Sequence, residues 1–248
     1  MSRRLLFDML DSADEDVSAQ FLSKLTQAFK KADKKPSSSP FLNPSSLKCA
    51  RQACFKGLGT ELDKQDRSLN SIGITSVGTY LHELTQSNLV RMDGWEYIYV
   101  ADFVKDNPDL VVLGDSGYET KLESKKYGIH FLVDGVMRHK NKTYLIEIKS
   151  MTASKFYALK DLGEYKIQII SYAVLLGLSD VLLIAIDRDL LNYKVIQVHI
   201  TREQKAEWVV RIEEIIEAIK NGKVLPKQDV DKKVCAYCPY KGACDKLE

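Results

Sequence analysis

FLVDGVMRHKNKTYLIEIKS, residues 131–150, decides how this 248-residue chain is read. Two alternating stretches flank a polar turn at Lys140 and Asn141, the pattern of two strands joined tightly. In the second strand Glu147 and Lys149 lie two apart and share a face, while Ile146 and Ile148 take the other. If the turn consists of Lys140–Asn141 alone, Asp134 falls opposite Glu147 on the same face. A slip of one residue sends it to the wrong side. Two carboxylates on adjacent strands are costly unless paired or metal-bound. A hard divalent cation such as Mg²⁺ suits oxygen ligands, and Lys149 beside it is placed to orient a water or balance a phosphate's charge. The plainer reading of the same residues is a solvated hairpin face.

Around the hairpin the pattern is that of an α/β protein with a mixed sheet. Helical spacing of Val17, Phe21, Leu25, Ala28 and Phe29 predicts a helix over 14–32, followed by KKPSSSP (34–40), which has linker composition. Residues 1–40 are therefore expected as an N-terminal helix and linker, an appendage able to dock a partner protein, and 41–248 as the main domain. Ser45 or Ser46 is expected to open a short helix carrying Cys49 and Cys54. A helix is predicted over 76–92, then strands at 95–101, 109–113, 117–124, 128–138 and 143–150. A helix over 164–178 ends at Gly177, and a strand pair covers 181–187 and 193–200. The last helix starts at a capping box, Thr201 and Gln204, buries Trp208, Ile212, Ile215, Ile216 and Ile219, and stops at Gly222.

The charge balance is nearly even, with a formal net charge of +2, so any nucleic-acid partner must be held by local patches. Lys121, Lys125 and Lys126, and Arg138, His139, Lys140 and Lys142 on the turn, form such a patch. No apolar run has the length of a membrane span, and the acidic N-terminus lacks a signal peptide's apolar core. The cytoplasm is the expected compartment. There, clustered cysteines act as metal ligands more often than as disulfides. Three of the five cysteines stand in CAYCPYKGAC, 235–244. The Cys235-x2-Cys238-x5-Cys244 spacing is that of a metal or cluster site lacking one ligand, to be supplied by Cys49 or Cys54. Spacing alone leaves zinc and a 4Fe–4S cluster open.

Gly78-x-x-x-His82, Asp134, Glu147-x-Lys149 and Gln168-x-x-x-Tyr172, in that order, resemble the motifs of the PD-(D/E)xK nuclease superfamily. They look most like its RecB-like branch, with the AddB nuclease domain and the iron–sulfur exonucleases of CRISPR adaptation. The resemblance spans roughly residues 45–244. It implies a restriction-endonuclease-like core, a central mixed sheet flanked by helices, clipped by a cysteine-bound cluster. It further implies a Mg²⁺- or Mn²⁺-dependent deoxyribonuclease, an exonuclease on single strands or DNA ends. Its expected setting is recombination, repair or CRISPR-type adaptation in bacterial or phage-infected cytoplasm. By the resemblance His82, Asp134, Glu147 and the Ile148 carbonyl hold the metal, Lys149 is the catalytic lysine, and Gln168 and Tyr172 support the site. Phe131 stands where the family often has glycine. SSLKCARQACF, 45–55, resembles the family's upstream segment, which makes Cys49 the fourth ligand beside Cys235, Cys238 and Cys244 and tips the cofactor toward 4Fe–4S. Cys54 then reads as a small buried hydrophobe. Two other classes fit the same features: a non-catalytic DNA-binding or assembly subunit that keeps the fold, and a zinc-stabilised nucleic-acid adaptor.

Overall fold

The computed structural model describes residues 3–33, 39–63, 67–115, 119–228, 230 and 232–247. In chain order its helices are α1 (Arg3–Ala32), α2 (Ala50–Gly57), α3 (Leu69–Leu89), α4 (Val100–Val104), α5 (Ala153–Ala158), α6 (Lys166–Leu175), α7 (Arg202–Lys220), α8 (Lys232–Ala236) and α9 (Lys241–Asp245). Short 3-10 turns lie at Pro44–Lys48 and Gly163–Tyr165. The strands are β1 (Glu96–Ile98), β2 (Leu110–Asp115), β3 (Thr120–Ser124), β4 (Ile129–Val133), β5 (Gly135–His139), β6 (Lys142–Met151), β7 (Asp180–Asp187) and β8 (Tyr193–His199). The chain divides into two units, Met1–Ser37 with Gln65–Val77, and Ser38–Lys64 with Gly78–Glu248. No helix among the described residues is long and apolar enough to cross a membrane.

In the larger unit the hairpin forms in the expected register. Gly135 faces Ile146 and His139 faces Lys142, leaving Lys140–Asn141 as the turn. Lys140 holds that turn at φ 54°, a region side chains other than glycine rarely adopt. The sheet runs β1-β5-β6-β7-β8, and only β6 and β7 pair in parallel. It is thus the mixed sheet the element order implies, consistent with a restriction-endonuclease-like core. Each face of the sheet is covered, because side chains alternate along β6. Leu145 joins Val136, Leu183, Ile169, Trp208 and Ile212 on the face of α6 and α7. Ile146 and Ile148 join Leu81, Leu89 and Met137 on the face of α3. The indole of Trp208 on α7 donates to Ser171 Oγ on α6 at 2.7 Å, satisfying a polar group in this interior.

Residues 128–138 are two strands in two sheets. β4 pairs with β3 in a second sheet, β2-β3-β4, while β5 pairs with β1 and β6. The apolar alternation is continuous across the joint, so only the distant partners reveal the break. Likewise 95–101 holds β1 and then the start of α4, whose Val100 and Val104, one turn apart, are both buried. The helix predicted over 76–92 runs from Leu69 to Leu89, and the 164–178 helix is a 3-10 turn followed by α6. Asn43, rather than Ser45 or Ser46, caps the 3-10 turn; Ser46 returns the bond to the Asn43 N–H as its capping-box partner. Cys49 sits between that turn and α2, outside either helix, while Cys54 lies within α2. The Thr201–Gln204 capping box is present, and Trp208, Ile212 and Ile215 are buried beneath α7.

In the smaller unit α1 starts at Arg3, earlier than 14. Val17, Phe21, Leu25 and Phe29 are exposed along it. Arg67 pairs with Asp33 at 2.6 Å just past its end. Residues 34–38 of the linker stretch lie outside the described residues.

Candidate active site

Asp134 is the lone residue between β4 and β5. Its Oδ2 accepts the Ile148 N–H at 2.7 Å, and its Oδ1 stands 3.4 Å from His82 Nδ1. Gln86, four residues beyond His82 on α3, donates to the Asp134 carbonyl at 2.8 Å. One helix thus holds both the backbone and the carboxylate of this corner. The helix comes close because Gly78 has no side chain: a Cβ there would meet Ser150 Oγ at 3.3 Å. Pairing of β5 with β6 stops at Gly135 and Ile146. A strand residue directs its N–H and C=O to the same side, so the Ile148 carbonyl also faces the gap beside Asp134.

Glu147 and Lys149 face the α6 side. Glu147 is 1% exposed, and its carboxylate lies 2.5 Å from Lys149 Nζ. Burial pushes the Glu147 carboxyl up; Lys149 pulls it back and Asp134 raises it further, leaving it at about 7. Burial alone would lower the Lys149 ammonium, but the Glu147 and Asp134 carboxylates outweigh it and hold it above its ordinary value. Above them on α6, Gln168 Nε2 donates to the Tyr172 hydroxyl at 2.8 Å. Burial, and then the nearby Glu147, raise the Tyr172 phenol well above the usual range, so it stays a neutral hydroxyl. Phe131 fills the space beside it, ring centroids 6.1 Å apart, which accounts for a bulky side chain at that position.

The structure therefore brings His82, Asp134, Ile148, Glu147 and Lys149 to one end of β6, with Gln168 and Tyr172 over it. Two carboxylates, an imidazole and a strand carbonyl form a donor set that fits a divalent cation, the oxygens suiting Mg²⁺ and the imidazole Mn²⁺. Among the described residues no three His, Cys, Asp or Glu side chains are drawn together into a metal-holding group. Instead Asp134 is occupied by His82 and the Ile148 N–H, and Glu147 by Lys149. The basic turn falls elsewhere. Lys142 lies seven residues from Lys149, roughly 23 Å along the strand, and Lys142 and Arg138 already pair with Asp180 and Glu96. The cations beside Lys149 are others: Lys48, Lys155 and Lys233, gathered around Tyr165 and Glu164. No local pattern marks them, because they come from three distant segments.

Cys49, Cys235, Cys238 and Cys244 line one cavity of about 330 Å³, and Cys54 is absent from it, fully buried in α2. Burial raises the Cys238 thiol, and Cys49, Cys244 and Cys235 add to that. Arg51 Nη1 lies 3.4 Å from Cys244 Sγ and its Nε donates to the Leu225 carbonyl at 3.0 Å. The chain end is tied down by the upstream segment. Gly242 N–H donates to Asp63 Oδ2 at 2.8 Å, Asp63 N–H to the Pro239 carbonyl at 2.8 Å, and Phe55 stacks near Tyr240. Arg211 on α7 donates to the Leu47 carbonyl at 2.9 Å, fixing the chain just before Lys48 and Cys49.

Comparison with known proteins gives one family and several structures. The model of the PD-(D/E)XK nuclease superfamily matches residues 117–245, a span that contains Asp134, Glu147, Lys149, Gln168, Tyr172 and the three C-terminal cysteines. Among solved structures, the crystal structure of SSO0001 is similar at 18% identity and a TM-score of 0.49, covering 91% of this chain and 95% of that one. An alkaline exonuclease (LHK-Exo) from Laribacter hongkongensis is similar at 14% identity and 0.49, covering 90% and 100%. The same exonuclease in complex with dAMP is similar at 15% identity and 0.49, with the same coverage. Among curated proteins none matches this chain.

Proposed function

The chain belongs to the PD-(D/E)XK nuclease superfamily, and from that premise we propose that it is a Mg²⁺- or Mn²⁺-dependent deoxyribonuclease, an exonuclease on single strands or duplex ends. The observation that carries the reading is the corner at Asp134, within 3.4 Å of His82 and 2.7 Å of the Ile148 N–H, beside the buried Glu147–Lys149 pair. In this reading His82, Asp134, Glu147 and the Ile148 carbonyl hold the cation. A bound divalent ion supplies Lewis acidity toward the scissile phosphate. Glu147, up at about 7 while paired with Lys149, would hold the cation as its carboxylate. Lys149, beside that carboxylate, would offer its ammonium to the attacking water and to the charge that builds on the phosphate. Gln168 and Tyr172, hydrogen-bonded to each other, support the site from α6.

We read the cysteine cavity as the seat of a 4Fe–4S cluster with Cys49, Cys235, Cys238 and Cys244 as ligands, a reading that goes with the RecB-like branch. Four thiols around a shared cavity suit a zinc ion as well as a cluster, and the resemblance of the upstream segment favours the cluster; its role is structural, fastening residues 49–63 to the chain end. Residues 41–248 are read as the nuclease domain, although Gln65–Val77 within them groups with the N-terminal segment. Residues 1–40 form an arm whose exposed Val17, Phe21, Leu25 and Phe29 suit a protein partner.

The test is digestion of strands labelled at each end, with Mg²⁺ or Mn²⁺, by protein purified without oxygen. Glu147→Ala and Lys149→Ala are each expected to lower the rate at least a hundredfold while the melting transition persists. Full activity in either variant overturns the assignment. Retention of DNA without cleavage under any divalent metal favours the non-catalytic subunit instead.

A further inference from the structure

A second group of cations lies against the catalytic lysine. Lys149 Nζ stands 5.5 Å from the Tyr165 ring centroid, and Lys48 Nζ stands 5.7 Å from the same ring. Lys155 pairs with Glu164, next to Tyr165, at 2.7 Å. A groove of about 230 Å³ continues outward between Met151, Lys155, Glu164, Tyr165 and Lys233. Among the described residues, the acids facing Lys48, Lys149 and Lys155 are Glu147, Asp134 and Glu164. Glu147 is engaged by Lys149 and Glu164 by Lys155. Among the described residues no carboxylate lies within ion-pair distance of Lys48.

Gathering like charges around one half-buried ring is unfavourable unless an anion completes the set. The backbone on both sides of Lys48 is anchored. Arg211 fixes the Leu47 carbonyl before it, and Cys49 follows it into the cysteine cavity. Lys233 stands two residues before Cys235 on the other wall of that cavity. One arm of the cysteine pocket thus sets Lys48 against the Tyr165 ring, and the other places Lys233 on the groove that Tyr165 also lines.

We propose that Lys48, Lys155 and Lys233 form a lane for the phosphates of a DNA strand flanking the scissile one, with Tyr165 as the wall that spaces Lys48 from Lys149. The lane rests on the nuclease reading and extends it by naming how the strand is held. It would let a chain of near-neutral net charge hold DNA through a local patch. The turn cations at the far end of β6 are not part of it.

The test measures binding of a fluorescent single-stranded oligonucleotide over a range of salt, with divalent metal withheld, alongside digestion with Mg²⁺. Lys48→Gln and the exposed Lys233→Gln are each expected to weaken binding about 3- to 10-fold. Together they make the slope of log affinity against log salt shallower by about 1.4, at about 0.7 per lost phosphate contact. Lys48→Arg restores most of the affinity, which a merely structural role for Lys48 would not predict. Circular single strands, which have no ends, lose as much affinity as linear ones. A loss confined to linear strands with a terminal phosphate overturns the lane in favour of an end-phosphate site. Digestion by the wild type with an unchanged salt slope in the double variant overturns the lane alone. A wild type that neither binds nor cuts DNA overturns the nuclease reading and the lane with it.

Discussion

Glu147 concentrates the chemistry of the site in one carboxyl. It is 1% exposed, and burial with the Asp134 charge holds it at about 7, against an ordinary value near 4.5. The folded protein thus binds this proton more tightly than the unfolded chain does. Stability from this group is full below the unfolded value and is lost as pH rises through 7. With metal chelated, the melting temperature is expected to fall between pH 5 and pH 8, and Glu147→Gln, which cannot ionise, to flatten that fall. An unchanged pH slope in the variant would remove Glu147 as the source. Adding Mg²⁺ at pH 8 should restore stability to the wild type and not to the variant, because the cation then takes the proton's place. The motif residues were readable at this scale because each recurs at a spacing that one strand or one helix turn converts into a shared face. Lys48, Tyr165 and Lys233 were not, since nothing in their own neighbourhoods distinguishes them from solvated positions.

At the scale of elements, register carried most of the sequence reading. The Lys140–Asn141 turn fixes which residues of β5 and β6 oppose each other, and that turn is local. The break between β4 and β5 is not local. IHFLV and GVMRH read as one continuous strand, and only pairing with β3 on one side and with β1 and β6 on the other separates them. Contact between α3 and β6 is the other non-local feature. Gly78 permits it, with a Cβ there 3.3 Å from Ser150 Oγ. Gly78→Ala should be nearly neutral, since better helix propensity offsets a contact that a hydroxyl can yield. Gly78→Val should cost about 1–3 kcal/mol by overpacking and weaken cation binding, because His82 and Gln86 ride on the same helix. Denaturant unfolding and metal titration of the two variants check both effects, and equal behaviour of Ala and Val would refute the close approach.

Across the whole molecule, the cysteine pocket joins segments nearly two hundred residues apart, and the terminus is ordered by them rather than by its own short helices. On the cluster reading, Cys49→Ser is expected to yield protein without iron or visible absorbance, its C-terminal residues open to proteolysis. Cys54→Ser should keep the iron and cost about 1–3 kcal/mol, the penalty of a hydroxyl in an apolar interior. Metal analysis and melting of the two proteins decide it; zinc in place of iron would replace the cluster with a single ion. The sheet order and the pocket's pairing both follow from long-range closure, which is why composition and periodicity gave the class of fold but not its seams. One seam has an evolutionary consequence. Asp134 is a joint one residue long, with β4 locked to β3 before it and β5 locked to β6 after it. An insertion or deletion there would leave both ladders paired and displace only the carboxylate. Chain length at that point is therefore constrained by chemistry, and lineages that keep the reaction are expected to tolerate length changes in the β5–β6 turn but none between Val133 and Gly135.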